Sequence, residues 1–275
     1  MGKKIESSYF TELALKYSRY NSQEIKISSL KNTNLKQIER KGKYLIWNLI
    51  GKNDYTILNH LGMTGSFNIY EKKKQLQNHL NKEKKNYVKV VLEFTDESSC
   101  VFDDMRNFGR FHLFSSYENL TNRYPAVAKI GLDGFNFSLE DFKSALELKR
   151  NKNKALGILL LDQRFVAGIG NIYKSESLWR AIISPYKIAG DLKHEEILRL
   201  SKSIQEVLND AIIDGGSTIK NFKSNKVEGK AQEWHAVYGK EDLPCLRCNA
   251  KIKRIIQNKR STFFCENCQS GKKSR

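Results

Sequence analysis

Residues 159–176, LLLDQRFVAGIGNIYKSE, carry an apolar run into Arg164-Phe165-Val166 and then into the turn Ala167-Gly168-Ile169-Gly170-Asn171. The leucines that precede Asp162 read as a buried helix. Gly168 and Gly170, two glycines in three residues, allow a tight turn that leaves its backbone amides uncovered. A second helix starting just after the turn, at IYKSE, adds the positive end of its dipole to those amides, which suits a phosphate. A plain helix-to-helix connection would show the same residues.

Outward from this turn, the second half of the chain is helical. Ser138 with Asp141 forms a capping-box pattern before DFKSALELKR, and ALGILLLD, IYKSESLWRAI and HEEILRLSKSIQEVLNDAII repeat apolar residues at helical spacing as far as Gly215. Beyond the helices stand four of the five cysteines, Cys245, Cys248, Cys265 and Cys268, as two CxxC pairs 16 residues apart. Each CxxC turn aims two thiolates at one point, and the excursion between the pairs is the length of a β-hairpin, so the set reads as one structural Zn2+ site. The intervening KIKRIIQNKRSTFF carries Lys251, Lys253, Arg254, Lys259 and Arg260, a basic tip suited to phosphate. Cys100, inside SSCVF, is expected to be a buried core thiol.

Toward the N-terminus the pattern changes to short strands. YLIWNLI, YTILNHL, SFNIY, YVKVVLEF, SCVFDD and RFHLF are separated by charged or Asn/Asp/Gly turns, and TELALKYSRY alternates in the same way. The charged KKKQLQNHLNKEKK reads as a solvated loop between strands. The fold class is therefore α+β, with a β-sandwich over residues 1–128, a helical domain over 129–236 and a zinc finger with a basic tail over 237–275. Lys and Arg outnumber Asp and Glu 48 to 30 in 275 residues, and a net charge of +18 calls for a polyanionic partner. The 40% hydrophobic content and the 3 prolines argue for packed structure throughout. No stretch approaches the roughly 18 apolar residues of a membrane span, and MGKKIESSYF has no apolar signal core, so no membrane and a cytoplasmic or nucleoid location are expected.

LLDQRFVAGIGNIYKSE resembles the helix-two-turn-helix signature of the Fpg/Nei family of DNA glycosylase/AP lyases, most closely its Fpg branch. The likeness continues, in family order, through RKGKYLIWNL, NHLGMTGSF, FDDMRNFGRF, AKIGLDGF, GGSTIKNF, AVYGKEDLPCLRC and KRSTFFCENCQ. It implies base-excision repair of oxidised purines, 8-oxoguanine and formamidopyrimidines, with β/δ-elimination at the abasic site. It implies a monomer on double-stranded DNA containing an oxidised base, held in a cleft between the two domains. By resemblance, Lys43 lies near the damaged nucleotide and contributes to lyase chemistry. His60, Asn171 and Arg260 grip phosphates around the extruded nucleotide, with Arg260 also tied to elimination and Lys259 beside it on the basic tip. Met63 and Phe108 wedge into the duplex, and Arg106 stands beside Phe108. The run after GGST resembles the lid over the flipped base, with Thr218 the position for base contacts.

The chain departs from the family in three places. The family's N-terminal proline, whose amine attacks the sugar C1′, and the glutamate after it have no match here, because the chain opens MGKK and its first proline is Pro125. Gly2-Lys3-Lys4-Ile5 instead matches the strand that follows the family's first helix, and the distance to Lys43 then fits. The alternative takes Gly2 as a free primary amine with Glu6 near a family glutamate, and leaves too few residues before Lys43. Asn107 holds the place of an arginine that recognises the orphaned cytosine, so a bidentate contact is lost. Gly157 stands where a lysine is common. Two other functions share these motifs: a catalytically inactive damaged-DNA-binding paralogue, and an endonuclease VIII-like enzyme for oxidised pyrimidines.

Overall fold

Alternation of apolar and polar side chains turns the first half of the chain into two four-stranded antiparallel sheets. The computed structural model describes residues 2–20, 25–81, 87–217 and 229–270. In chain order the elements of this half are β1 (Ile5–Phe10), α1 (Glu12–Leu15), β2 (Asn34–Lys41), β3 (Tyr44–Ile50), β4 (Tyr55–His60), β5 (Gly65–Tyr70), α2 (Lys73–Asn81), β6 (Val88–Phe94), β7 (Ser99–Asp104), β8 (Arg110–Phe114), α3 (Tyr117–Arg123) and α4 (Pro125–Ala128). The sheet orders are β1-β6-β7-β5 and β2-β3-β4-β8. Ile5, Val90, Leu92, Cys100 and Phe102 from the first sheet share one core with Trp47, Leu49, Ile57, Phe111 and Leu113 from the second. Ring centroids 5.1 Å apart for Trp47 and Phe67, and 6.3 Å for Phe102 and Phe111, mark where the two faces interlock. Cys100 is buried as expected, and burial pushes its thiol pKa up to about 12, so it is inert packing.

Two segments differ from their sequence reading. TELALKYSRY is no strand: the Thr11 hydroxyl accepts from the Ala14 amide and caps α1, and Ala14 and Tyr20 are fully buried while Leu15 and Tyr17 face solvent. Local capping overrides the alternation there. KKKQLQNHLNKEKK is no loop as far as Asn81, because Leu76, His79 and Leu80 recur at helical spacing. Leu76 and Leu80 pack on Val88, Val91 and Val101, and His79 pairs with Asp103 at 3.0 Å. Conversely, β2 is announced by little more than Leu35 and Ile38.

The second half holds β9 (Leu132–Asp133), α5 (Leu139–Glu147), α6 (Leu156–Leu159), β10 (Val166–Ala167), α7 (Asn171–Ala181), α8 (His194–Ile213), β11 (Lys253–Gln257), β12 (Arg260–Phe264) and α9 (Glu266–Gln269). The Ser138 hydroxyl accepts from the Asp141 amide at 3.0 Å and starts α5. Phe142, Leu146, Leu156, Leu159, Phe165, Leu178, Leu200 and Ile204 close the helical core. The chain forms two compact units that divide between Ala128 and Lys129, with the cysteine hairpin in the second. No helix of the described residues is long and apolar enough to cross a membrane.

Candidate nucleic-acid interface

In the first unit, the residues singled out from the sequence lie on the β2-β3 turn, at the adjoining end of β4 and on the loops that follow β4 and β7. Gly42 and Lys43 form the two-residue turn between β2 and β3, with Lys43 exposed. Tyr44 pairs in register with His60, and His60 with Arg110, so these groups sit at one sheet end. Burial, and then the charges of Lys43, Arg110 and Arg19, lower the His60 pKa and keep the ring neutral. Its Nδ1 accepts from the Gly62 amide at 3.0 Å, which puts the remaining proton on Nε2 as a donor.

The loops 61–64 and 105–109 are tied to one buried carboxylate. Asp104, fully buried, accepts from the Thr64 hydroxyl at 2.5 Å, the Gly109 amide at 2.6 Å, the Arg106 amide at 3.3 Å and the Tyr20 hydroxyl. Gly62, at φ 67°, is pressed against the Phe108 backbone, so a side chain there would collide. From these clamped loops Met63 and Phe108 project into solvent, 56% and 44% exposed. Arg106 lies 5.1 Å and Arg19 5.9 Å from the Phe108 ring centre. Asn107 takes a left-handed φ of 57°, which asparagine tolerates, and its Oδ1 is buried without a hydrogen-bond partner.

In the second unit, the glycine turn is braced from within. The Gln163 Oε1 accepts from the Gly168 amide and its Nε2 donates to the Ile169 carbonyl, both at 3.0 Å, while Gly168 takes a φ of 96°. α7 begins at Asn171 with Gly170 as a cap that offers no side chain, so its first amides are uncovered. Lys174, fully buried, donates to Asn171 Oδ1 at 2.9 Å and to Thr262 Oγ1 at 2.6 Å, which brings Asn171 beside the strand that starts at Arg260. Glu176 accepts from the amides of Ala236, Val237 and Tyr238 at 2.8, 3.1 and 2.8 Å and fastens that segment to α7. Asn258 and Lys259, with φ 48° and 60°, form the tight turn of the β11-β12 hairpin and expose Lys259 and Arg260 at its tip. Thr218, and the lid segment through Glu228, lie outside the described residues.

The four sulfur atoms of Cys245, Cys248, Cys265 and Cys268 all lie within 4.8 Å of one another. Cys245 and Cys268 are 3.9 Å apart and Cys248 and Cys265 3.4 Å apart. A tetrahedral Zn2+ with bonds of about 2.3 Å needs sulfur separations of about 3.8 Å, so the donor set fits one structural ion. Arg247 stacks 3.8 Å from the Trp179 ring centre and joins the cysteine knuckle to α7.

Asp104, Lys174, Glu176 and Gln163 organise these surfaces and were not found from the sequence, since each looked like an ordinary polar residue and only burial reveals it.

A zinc-clamped basic hairpin, a helix end with uncovered donors and a sandwich edge with apolar tips among cations define the class: a zinc-finger protein shaped for a nucleic-acid backbone. The family models agree, matching the formamidopyrimidine-DNA glycosylase N-terminal domain over residues 1–111, its H2TH domain over 131–223 and the zinc finger found in FPG and IleRS over 242–271. The chain belongs to the formamidopyrimidine-DNA glycosylase family. Among its relatives, the formamidopyrimidine-DNA glycosylase of Wolbachia sp. subsp. Brugia malayi is 37% identical over 246 residues, covering 88% of this chain and 84% of that one. The Rickettsia felis protein of the same name is 35% identical over 254 residues, covering 91% and 86%. A Lactococcus lactis FPG mutant, solved in complex with a Fapy-dG containing DNA, superposes with a TM-score of 0.80 at 31% identity, covering 98% of this chain and 93% of that one. MutM (FPG) from Thermus thermophilus gives 0.78 at 29% identity, covering 98% and 92%.

Proposed function

We propose that this chain works in base-excision repair, excising oxidised purines from duplex DNA as a glycosylase and nicking the resulting abasic site as an AP lyase. The observation that carries the reading is the pair of exposed apolar tips, Met63 and Phe108, on loops locked to buried Asp104 and flanked by Arg19 and Arg106. Large apolar groups held rigidly in water gain by entering a base stack, and cations beside them attract the strand that must open. Removing a base from the stack costs a few kcal/mol, which such a filler partly offsets.

The roles of the other residues follow from their donors. His60 offers its Nε2 proton, Asn171 its carboxamide, Arg260 its guanidinium and Lys259 its ammonium to phosphate oxygens, each from its own unit. Arg106 and Asn107 face the bases beside the wedge, and with asparagine at 107 the preference for the base opposite the lesion is weaker than a guanidinium would impose. The zinc ion is structural and enters no chemical step. A duplex-DNA substrate supports a nucleoid location.

The lyase step needs an amine that adds to C1′, loses water to form a Schiff base and so acidifies the C2′ proton whose removal expels the 3′ phosphate. No proline precedes Pro125. The Gly2 nitrogen donates to the Leu35 carbonyl at 2.9 Å, at the far end of β2 from Lys43. At about 3.3 Å per residue that is roughly 20 Å from the Lys43 turn, which disfavours Gly2 as the nucleophile. Lys43 is the exposed amine at the site, beside neutral His60, and supports the elimination. Borohydride trapping on an 8-oxoguanine duplex tests the assignment. A lyase is expected to trap covalently, through an amine at this site. If the chain binds the duplex but does not trap, it is a damaged-DNA-binding protein without lyase activity. If the 275-residue chain traps and Lys43→Ala abolishes it, Lys43 is the nucleophile.

A further inference from the structure

Lys174 is buried completely, yet among the described residues its ammonium touches no carboxylate. Nζ donates to Asn171 Oδ1 at 2.9 Å, Thr262 Oγ1 at 2.6 Å and the Ser261 carbonyl at 3.4 Å. These three acceptors match the three protons of an ammonium, and all are neutral. Buried charges are ordinarily paired, because an ion removed from water needs an opposite charge to offset the loss. Glu176, two residues further on, has both carboxylate oxygens engaged by the amides of residues 236–238.

Among the described residues, the elements packed most closely on α7 supply no counter-ion. α7 packs on α6, α8 and β12. α6 has no ionisable residue, and β12 contributes only Arg260, a second cation. On α8, Glu196 pairs with Lys187, Glu206 with Lys202 and Asp210 with Arg180 of α7, while Arg199 donates to the Ala181 carbonyl and His194 and Glu195 are exposed. Desolvation, and then Arg260, lower the Lys174 pKa to about 8.

Asn171 gives this lysine a functional meaning. An ammonium can only donate, so the Asn171 side chain must turn its carbonyl oxygen inward to Lys174 and its NH2 outward. The same ammonium holds Ser261 and Thr262, the residues next to Arg260. We propose that Lys174 is a positioning residue for phosphate binding: it fixes Asn171 with its two donors outward, ties the Arg260 strand to the end of α7, and receives from the bound phosphate the negative charge that none of the described residues offers it. The proposal rests on the reading of Asn171 and Arg260 as phosphate ligands.

A phosphate near this site raises the Lys174 pKa above its value in the free protein. Binding is then fully favoured while Lys174 is protonated, below about pH 8, and weakens as pH rises through the free value toward the bound one. The experiment measures the Kd for a duplex with a tetrahydrofuran abasic analogue from pH 6.5 to 9.5 at fixed ionic strength. It compares the zinc-loaded chain with Lys174→Met, Asn171→Ala and the double variant. The unaltered chain is expected to lose about tenfold in affinity between pH 7.5 and 9, as one linked proton requires. Lys174→Met is expected to bind about tenfold more weakly at pH 7 and to lose the pH slope, with the double variant weaker than Asn171→Ala alone but by less than that tenfold, because the share exerted through Asn171 is already gone. If Asn171→Ala weakens binding while Lys174→Met keeps both affinity and slope, the role of Lys174 is wrong and that of Asn171 stands. If Asn171→Ala binds normally, the phosphate reading itself fails. Should Lys174→Met lose its zinc or its helical circular dichroism, the unaltered chain decides: a flat profile between pH 7.5 and 9 overturns the proposal.

Discussion

In each unit a buried charge lies under the working surface, Asp104 in the first and Lys174 in the second, and the two are opposite, as are the surfaces above them. Asp104 collects donors: two hydroxyls and the amides of Arg106 and Gly109. The loops around it have those donors turned inward, and they present apolar tips, Met63 and Phe108. Lys174 collects acceptors, and the segment around it therefore presents donors, namely the Asn171 carboxamide and the first amides of α7. A buried anion thus suits a wedge that enters stacked bases, and a buried cation suits a cradle for phosphate. Directly above Asp104 and above Lys174, the local polarity is the complement of the anchor.

The largest expected effect separates the two units outright. Apparent zinc-binding free energies in small fingers are on the order of 10 kcal/mol, and that energy is folding energy for the hairpin. Stripping the ion should therefore unfold the Cys245–Cys268 hairpin, release Arg260 and abolish binding to lesion-containing duplex. The sandwich, with its own core, should keep its near-ultraviolet circular dichroism. Retention of lesion binding by the fully metal-free chain would show that the donor-rich surface does not depend on the finger.

Asp104→Asn tests the other side. Asparagine keeps the volume but turns an NH2 toward groups that are themselves donors, leaving at least one pair of donors facing each other. Such mismatches in a buried network cost roughly 3 kcal/mol. The urea midpoint of the sandwich should fall accordingly while zinc content and the unfolding of the second unit stay unchanged. A drop below about 0.5 kcal/mol would mean that Asp104 is not what holds the wedge loops.

The sequence made one of these surfaces far more legible than the other. Cysteine spacing, the Gly168-Gly170 turn and the basic hairpin tip are local patterns, and each is found where its chemistry predicts. The strands of the sandwich were legible for the same reason, since alternation is local. Asp104, Lys174 and Glu176 were not, because burial of a charge depends on what the rest of the chain places over it. Lys174 reads in IYKSES as a solvent-facing helix residue and is covered only when β12 folds back 88 residues later. α2 was hidden by its lysines, although Leu76, His79 and Leu80 carried the helical period. Asn107 and Gly157 were noticed only as departures from the family.

Acid should act on both units alike and so test whether the contrast is confined to the two anchors. His112 in the sandwich and His235 in the helical unit are buried and neutral, each lowered to about 4, first by burial and then by Arg110 and by Lys240 respectively. A histidine pKa below its unfolded value of about 6.5 stabilises the fold fully above that pH, and the contribution is lost as pH falls toward 4. At about 1.36 kcal/mol per pH unit, each contributes up to roughly 3 kcal/mol across that window. Urea unfolding at pH 7 and 4.5 should show both units weakening, with His112→Phe flattening the acid response of the sandwich and His235→Phe that of the helical unit. An acid response confined to one unit would contradict one of the two burials.

The smallest effect concerns how firmly the zinc hairpin belongs to the helices. The Gly157 amide and Gln257 Nε2 both donate to the Pro185 carbonyl, at 3.0 and 3.2 Å, and a methyl added at Gly157 would overlap the Gln257 side-chain carbonyl. Alanine in a helix gains about 0.5 to 1 kcal/mol over glycine. Gln257 is only 8% exposed and cannot swing into water, so moving it forfeits a hydrogen bond of about 1 kcal/mol. Gly157→Ala should consequently change stability by less than about 1 kcal/mol, toward the destabilising side. In a Gln257→Ala background the obstruction is gone and the same substitution should stabilise. The coupling, about 1 kcal/mol in a double-mutant cycle on the zinc-loaded chain, measures the grip between α6 and β11. Simple additivity would mean that the hairpin yields freely at this contact, and the positioning of Arg260 would then depend on the Lys174 bonds to Ser261 and Thr262 instead.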